Sequence, residues 1–189
     1  MEARSDRITR VLTEYAELGR RFLVILGVGF WLGGFTFYAA VVIHIGHRVF
    51  GSARETGFLT QQVTGWLNLS GSVALGVLFW NALAARRMRG GWLKSGLWLT
   101  WGLMAGIQVA LYALHPVLDQ TLDLQTHQIL ERSRFHHQHL VYMNLSTCQW
   151  AAGMLHTLLA LLIWRWCDKC LRDSTEDAVL PLPTNERPD

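Results

Sequence analysis

Histidine is the residue type best placed to do chemistry in this 189-residue chain, and seven of its eight copies are His44, His47, His115, His127, His136, His137 and His139. Imidazole is the commonest metal ligand and an axial ligand of haem b, and both roles need nitrogens from separate segments brought to one depth. His44, His47, His115, His136 and His139 are therefore candidate ligands of haem b or a divalent metal. Histidine at a membrane interface also satisfies itself by hydrogen bonding, so a ligand role is the sharper of two readings. Asp119, Asp123, His127 and Glu131 recur every four residues, which would align them on one helix stripe. His127 with Asp123 and Glu131 is a candidate metal set, set against the more ordinary reading of a solvated helix face. Cys167 and Cys170 form a CxxC, a candidate redox pair that lacks the strand-and-helix context of thioredoxin-like motifs. There is no HExxH, phosphate loop, serine elbow or paired-carboxylate site, so an enzyme is not the expectation.

Four uncharged apolar stretches, 22–47, 56–85, 95–118 and 135–164, must position these groups. A hydrocarbon core about 30 Å thick needs roughly 20 apolar helical residues, and lipid admits only helices or closed barrels. With 51% hydrophobic and 16% charged residues the chain has too little polar surface for a soluble domain. The fold class is thus all-α, an integral membrane four-helix bundle with spans over about 22–47, 60–85, 95–115 and 138–164. These make a transmembrane domain over 21–166 with an outer connection at 116–137. Residues 1–20, with Ile8, Val11, Leu12, Tyr15 and Leu18 at helical spacing, read either as a short interfacial helix or as an extension of the first span. Residues 167–189, ending in Pro181, Pro183 and Pro188, read as a disordered tail.

Lys and Arg set the orientation. Arg4, Arg7, Arg10, Arg20 and Arg21 precede the first span, Arg86, Arg87, Arg89 and Lys94 lie between the second and third, and Arg165, Lys169, Arg172 and Arg187 follow the fourth. The remaining two connections hold two each, so both termini are expected in the cytoplasm and the histidines on the outer side. The net charge of +3 is accordingly a topology signal, and no nucleic-acid partner is expected. Arg20-Arg21 ahead of an apolar run suggests a signal peptide, but the run is too long, and a retained anchor is expected in a prokaryotic inner membrane.

No Asp, Glu, Lys or Arg falls within the four stretches, which argues against a coupled pump. Asn68, Asn81, Gln108, Asn144, Gln149 and His156 are the buried polar candidates, expected to hydrogen-bond between helices. The pairs Gly29 with Gly33 and Gly102 with Gly106 are expected to let helices approach closely inside the bundle.

The run Phe35-Thr36-Phe37-Tyr38, then Arg48-Val49-Phe50-Gly51 and Gln61-Gln62-Val63-Thr64, with Arg134-Phe135-His136-His137-Gln138-His139 and Asn144-Leu145, resembles the transmembrane-protein-205-like family of small four-helix membrane proteins. The chain departs from that pattern where Val63-Thr64 replaces Phe-Pro. The resemblance implies a divergent relative with four helices; it carries no established activity and no catalytic residue. The expected function is a non-enzymatic multi-pass membrane protein whose histidine-rich outer face binds a metal, small ligand or partner. One rival is a haem b redox module; another is an accessory subunit of a membrane complex. Besides the lipid bilayer, a second copy or a complex subunit is the expected partner.

Overall fold

A computed structural model describes residues 2–51, 53–86, 91–120, 122–123, 128–129 and 132–179, and these are helical apart from one two-stranded ladder and short turns. Helix α1 (Glu2–Phe37) passes through a π-helical turn, Tyr38–Val42, into α2 (Ile43–Phe50); α3 (Ala53–Ala85), α4 (Gly91–Asp119) and α5 (Arg132–Val179) follow. Four stretches, Val11–Phe50, Glu55–Ala85, Gly91–Leu118 and Ser133–Cys170, are long and apolar enough to cross a membrane.

The helices run beyond the apolar spans at both ends. No separate helix covers 1–20: α1 runs unbroken from Glu2, because only Gly19 weakens its helix propensity there and no proline interrupts it. Of the two readings of that segment, the extension holds. The last helix likewise runs past 166 to Val179 instead of giving way to disorder at 167, since residues 165–177 are good or neutral helix formers and the first proline after them is Pro181. The rest of the expected tail, 180–189, lies outside the described residues.

The described part of the acid and histidine repeat does not run along one helix. Helix α4 continues through Pro116 to Asp119, where a proline near the helix end forfeits little, and Gln120 N–H closes on the Pro116 carbonyl at 3.1 Å. Then β1 (Leu122–Asp123) pairs antiparallel with β2 (Gln128–Ile129), Leu122 opposite Ile129 and Asp123 opposite Gln128. Asp119 thus ends a helix and Asp123 belongs to a strand, so the expected helical spacing does not continue from one to the other. His127 and Glu131 lie outside the described residues.

The turn from α2 to α3 is tight. Gly51 takes φ +65°, a left-handed cap conformation that a Cβ disfavours, and its N–H bonds the His47 carbonyl at 3.2 Å. Beyond it α2 and α3 touch so closely that a Cβ on Gly46 would stand 3.0 Å from Thr56 Cγ2. Helix α1 lies on α3, α3 on α4, and α4 most extensively on α5; the α1–α5 seam that closes the ring is the slightest. Arg21 reaches Asp168, so the start of the first long helix and the end of the last share one end of the bundle. We call this the terminal end and the opposite one the turn end.

The main core gathers Val28, Trp31, Leu78, Leu97, Met104 and Leu159 from four helices, and a smaller cluster of Ile107, Leu111, Leu118 and Tyr142 fills α4–α5 toward the turn end. The glycine pairs named above do not serve this packing. A Cβ on Gly29, Gly33, Gly102 or Gly106 would meet nothing within 4 Å, because α1 and α4 turn other faces inward. The close approaches belong to Gly71, where a Cβ would stand 2.9 Å from Trp31 Nε1, and Gly153, 3.0 Å from Trp31 Cζ3.

Candidate functional site

Apolar helices alone slide and rotate past one another, and here three polar layers along the bundle axis hold them. Nearest the turn end, Asn68 Nδ2 donates to Tyr142 Oη at 2.9 Å, Gln108 Nε2 to the Asn68 carbonyl at 3.2 Å, and Gln149 Nε2 to Gln108 Oε1 at 2.7 Å. Gly71 admits Gln108 Oε1 and the Trp31 indole to this level, so all four long helices contribute. About 10 Å along α5, seven residues at 1.5 Å each, His156 Nδ1 lies 2.9 Å from Thr100 Oγ1. The Thr100 hydroxyl also lies 2.8 Å from the Gly96 carbonyl. The hydroxyl has one proton to share between that carbonyl and the imidazole, and His156 Nε2 is buried without a hydrogen-bond partner.

The third layer is ionic. Arg20, only 5% exposed, donates to Asn81 Oδ1 and Glu17, and Trp164 Nε1 donates to the same Asn81 oxygen at 3.3 Å. Beside it Arg21 grips Asp168 through two parallel bonds of 2.8 and 2.7 Å and lies 5.5 Å above the Trp164 ring. Charge near a span reads in sequence as a topology signal only; that Arg20 turns inward had one available cue, Asn81 at the matching height of the second stretch. Leu75 and Met104 separate the first two layers, and Leu97 with Leu159 the second from the third, so the polar groups form no continuous file.

Of the six buried polar candidates, Asn68, Asn81, Gln108, Gln149 and His156 are buried, and each takes part in these layers. Asn144 does not: it lies on the exposed side of α5, two positions from buried Tyr142 and so on another face of the same helix.

The histidines divide into two sets. His44 and His47 stand exposed on α2, which packs mainly against α3. On the other side of the turn end, His115 of α4 lies 6.3 Å from the Tyr142 ring, and His139 of α5 stacks on Phe135 at 5.7 Å with their planes 10° apart. His139 is one turn from Tyr142 along α5, with exposed His136 one turn further along, so His115 and His139 belong to the same end of the α4–α5 pair. Among the described residues no group of three or more His, Cys, Asp or Glu stands close enough to hold a metal ion. Cys167 is buried and Cys170 exposed, and no disulfide joins them. Neither a family model, nor a curated protein, nor a solved structure matches this chain.

A groove of about 860 Å³ opens along the α1–α5 seam. Gly29, Gly33 and Thr36 form one wall, Met154, Thr157 and Leu161 the other, and Trp150 Nε1 bridges them by donating to Thr36 Oγ1 at 3.1 Å.

Proposed function

We propose that this is a non-enzymatic integral membrane protein, with both termini in the cytoplasm of a prokaryotic inner membrane, whose outer α4–α5 end takes a divalent transition metal between His115 and His139. The observations that support the reading are that His115 of α4 lies 6.3 Å from the Tyr142 ring and that His139 stands one helical turn before Tyr142 on α5. Two nitrogens leave coordination positions open, as in sites that present a metal to a further ligand, and His136 stands next on the same helix face. The distant likeness to the transmembrane-protein-205-like family agrees with four helices and adds no ligand. Haem b between His44 or His47 and the other set has less support, because α2 packs mainly against α3 whereas His115 lies by Tyr142 of α5.

Equilibrium dialysis of the purified protein against Zn²⁺ or Ni²⁺, followed by elemental analysis, tests this. Uptake of a single ion per chain, lost in His115→Ala and in His139→Ala but retained in His44→Ala/His47→Ala, is the expected result. Equal uptake by all variants, or none by the parent, overturns it; a haem absorption band sensitive to His44 or His47 would favour the redox module instead.

A further inference from the structure

Between Ile8 and Gly19 the described side chains of α1 are exposed on all sides apart from half-buried Glu17, and from Arg20 onward one side turns into the bundle while the other stays open. Ile8, Val11, Tyr15, Leu18 and Phe22 alternate three and four residues apart and are all exposed, Tyr15 by 70% and Leu18 by 63%. The same row continues through Ile25 into Gly29 and Gly33, the glycines whose Cβ directions are empty and which form one wall of the α1–α5 groove.

Two environments meet along this row. From Phe22 onward it belongs to an uncharged stretch suited to hydrocarbon; before Phe22 it shares the helix with Glu14, Glu17, Arg20 and Arg21. Ile8 stands about 21 Å beyond Phe22 along a straight helix, fourteen residues at 1.5 Å each. Lipid tails do not reach that far, and water does not cover apolar side chains cheaply. A single occupant that covers the whole row must itself be a helix that leaves the membrane at the same level.

A second copy of this chain meets that requirement without adjustment, since every copy inserted in one orientation presents the same row at the same height. The spacing of 8, 11, 15, 18, 22, 25 and 29 is the 3.5-residue repeat of a parallel coiled coil, and Gly29 and Gly33 permit the close approach such a pair makes in lipid. The charges allow it too. Glu17, Arg20 and Arg21 are paired within their own copy, and Glu14 at the flank would face Gly19 of the other copy, so no like charges oppose. A helix about 10 Å wide contacting ~38 Å of the row covers roughly 400 Å² per copy. The α5 wall of the groove, Trp150 to Leu161, adds about 16 Å of helix and roughly 160 Å², which brings the total to ~560 Å² per copy, or ~1,100 Å² over both, above the ~1,000 Å² that a biological interface should clear.

We propose that the protein is a parallel dimer in the membrane, joined along α1, with each α1 seated in the α1–α5 groove of the other copy. This rests on the membrane-spanning reading of the four helices and is independent of the imidazole site. The test uses the full chain in native membranes, with Cys148→Ser, Cys167→Ser and Cys170→Ser as background. Oxidative cross-linking of Val11→Cys and of Leu18→Cys should give a band at twice the monomer mass, while Thr13→Cys, on the opposite side of α1, should give at least tenfold less. Gly29→Ile/Gly33→Ile should reduce the Leu18→Cys band to the Thr13→Cys level. Light scattering of the unmodified protein in mild detergent should independently report two chains per particle. Equal cross-linking at all three positions, a monomeric mass, or an adduct with a protein of different mass overturns the proposal. Release of the chain by alkaline carbonate would instead mark failure of the membrane reading, and the dimer with it.

Discussion

Thr100 and His156 meet at 2.9 Å in the middle of the bundle, and the imidazole, with no exposed surface at all, has this hydroxyl as its hydrogen-bonding partner. Among the described residues it is the one side-chain hydrogen bond shown between α4 and α5 at that level, between the Gln108–Gln149 bond and the ionic layer. Thr100→Val should therefore lower stability by about 1–2 kcal/mol, through an unpaired buried nitrogen more than through the lost bond itself. His156→Leu in the Thr100→Val background should recover most of it. Unfolding by denaturing detergent, followed by circular dichroism, reads both; a parent-like Thr100→Val curve would show that the pair holds nothing together.

Arg20 is a buried cation whose partners are Asn81 and Glu17. Asn81→Leu removes the acceptor shared by Arg20 and Trp164 and should cost about 1.5–3 kcal/mol, the range for a hydrogen bond to a charged group, since Glu17 still pairs the guanidinium. Arg20→Leu together with Asn81→Leu should be much less harmful than Asn81→Leu alone. If the double variant is as unstable as the sum of the two single ones, the side chains act independently.

The Arg21–Asp168 pair lies in the open and should behave differently. Asp168→Asn should cost about 0.2–1 kcal/mol at low salt and progressively less as salt is raised, because exposed ion pairs are screened. Comparing melting temperatures of parent and variant across a salt series decides this, and a difference that does not shrink would mean the pair is effectively shielded from solvent.

Gly71→Ala would place a methyl 2.9 Å from Trp31 Nε1 and 3.0 Å from Gln108 Oε1. Overpacking at such a contact costs about 1–3 kcal/mol. Gly76→Ala on the same helix, where nothing lies within 4 Å of the new carbon, should be neutral or slightly stabilising. A pair of thermal melts separates the two, and similar curves would remove the proposed crowding around Trp31.

Gly51→Ala should destabilise the α2–α3 turn by about 1 kcal/mol, since φ +65° is unfavourable for a residue with a Cβ, and Gly51→Asn should cost less. Equal stability of the two variants would show that the turn relaxes to another conformation.

The four apolar helices are legible in the sequence because a run of uncharged residues has few other fates, and the partners of Asn68, Gln108 and Gln149 follow once those helices are paired. Which face of each helix points inward is less legible. Gly29, Gly33, Gly102 and Gly106 have the spacing of close helix contacts, yet the inward faces carry Trp31 and Met104 instead; side-chain volume, which the spacing of small residues does not report, decides that. His44 and His47 share a depth with His115 and His139 but not a neighbour, because depth follows from position in a span whereas proximity depends on the order of helices around the bundle. Arg20 was hidden by its type, since arginine beside a span is ordinarily solvated and here an asparagine on another helix draws it in. At the other extreme, the ends of α1 and α5 depended on local propensity beyond the apolar runs, and hydropathy says nothing about where such a helix stops.

The wide turn at Tyr38–Val42 changes the phase of everything after it. One extra residue in a helical turn rotates the following side chains by about 100° relative to an uninterrupted α-helix. A wheel drawn straight through residues 22–50 thus assigns His44, Gly46 and His47 to the wrong azimuth. Removing a single residue from that turn would swing the small surface of Gly46 off Thr56 and bring a bulkier neighbour against α3, so the spacing between the first two helices at this end depends on an irregularity no hydropathy plot records.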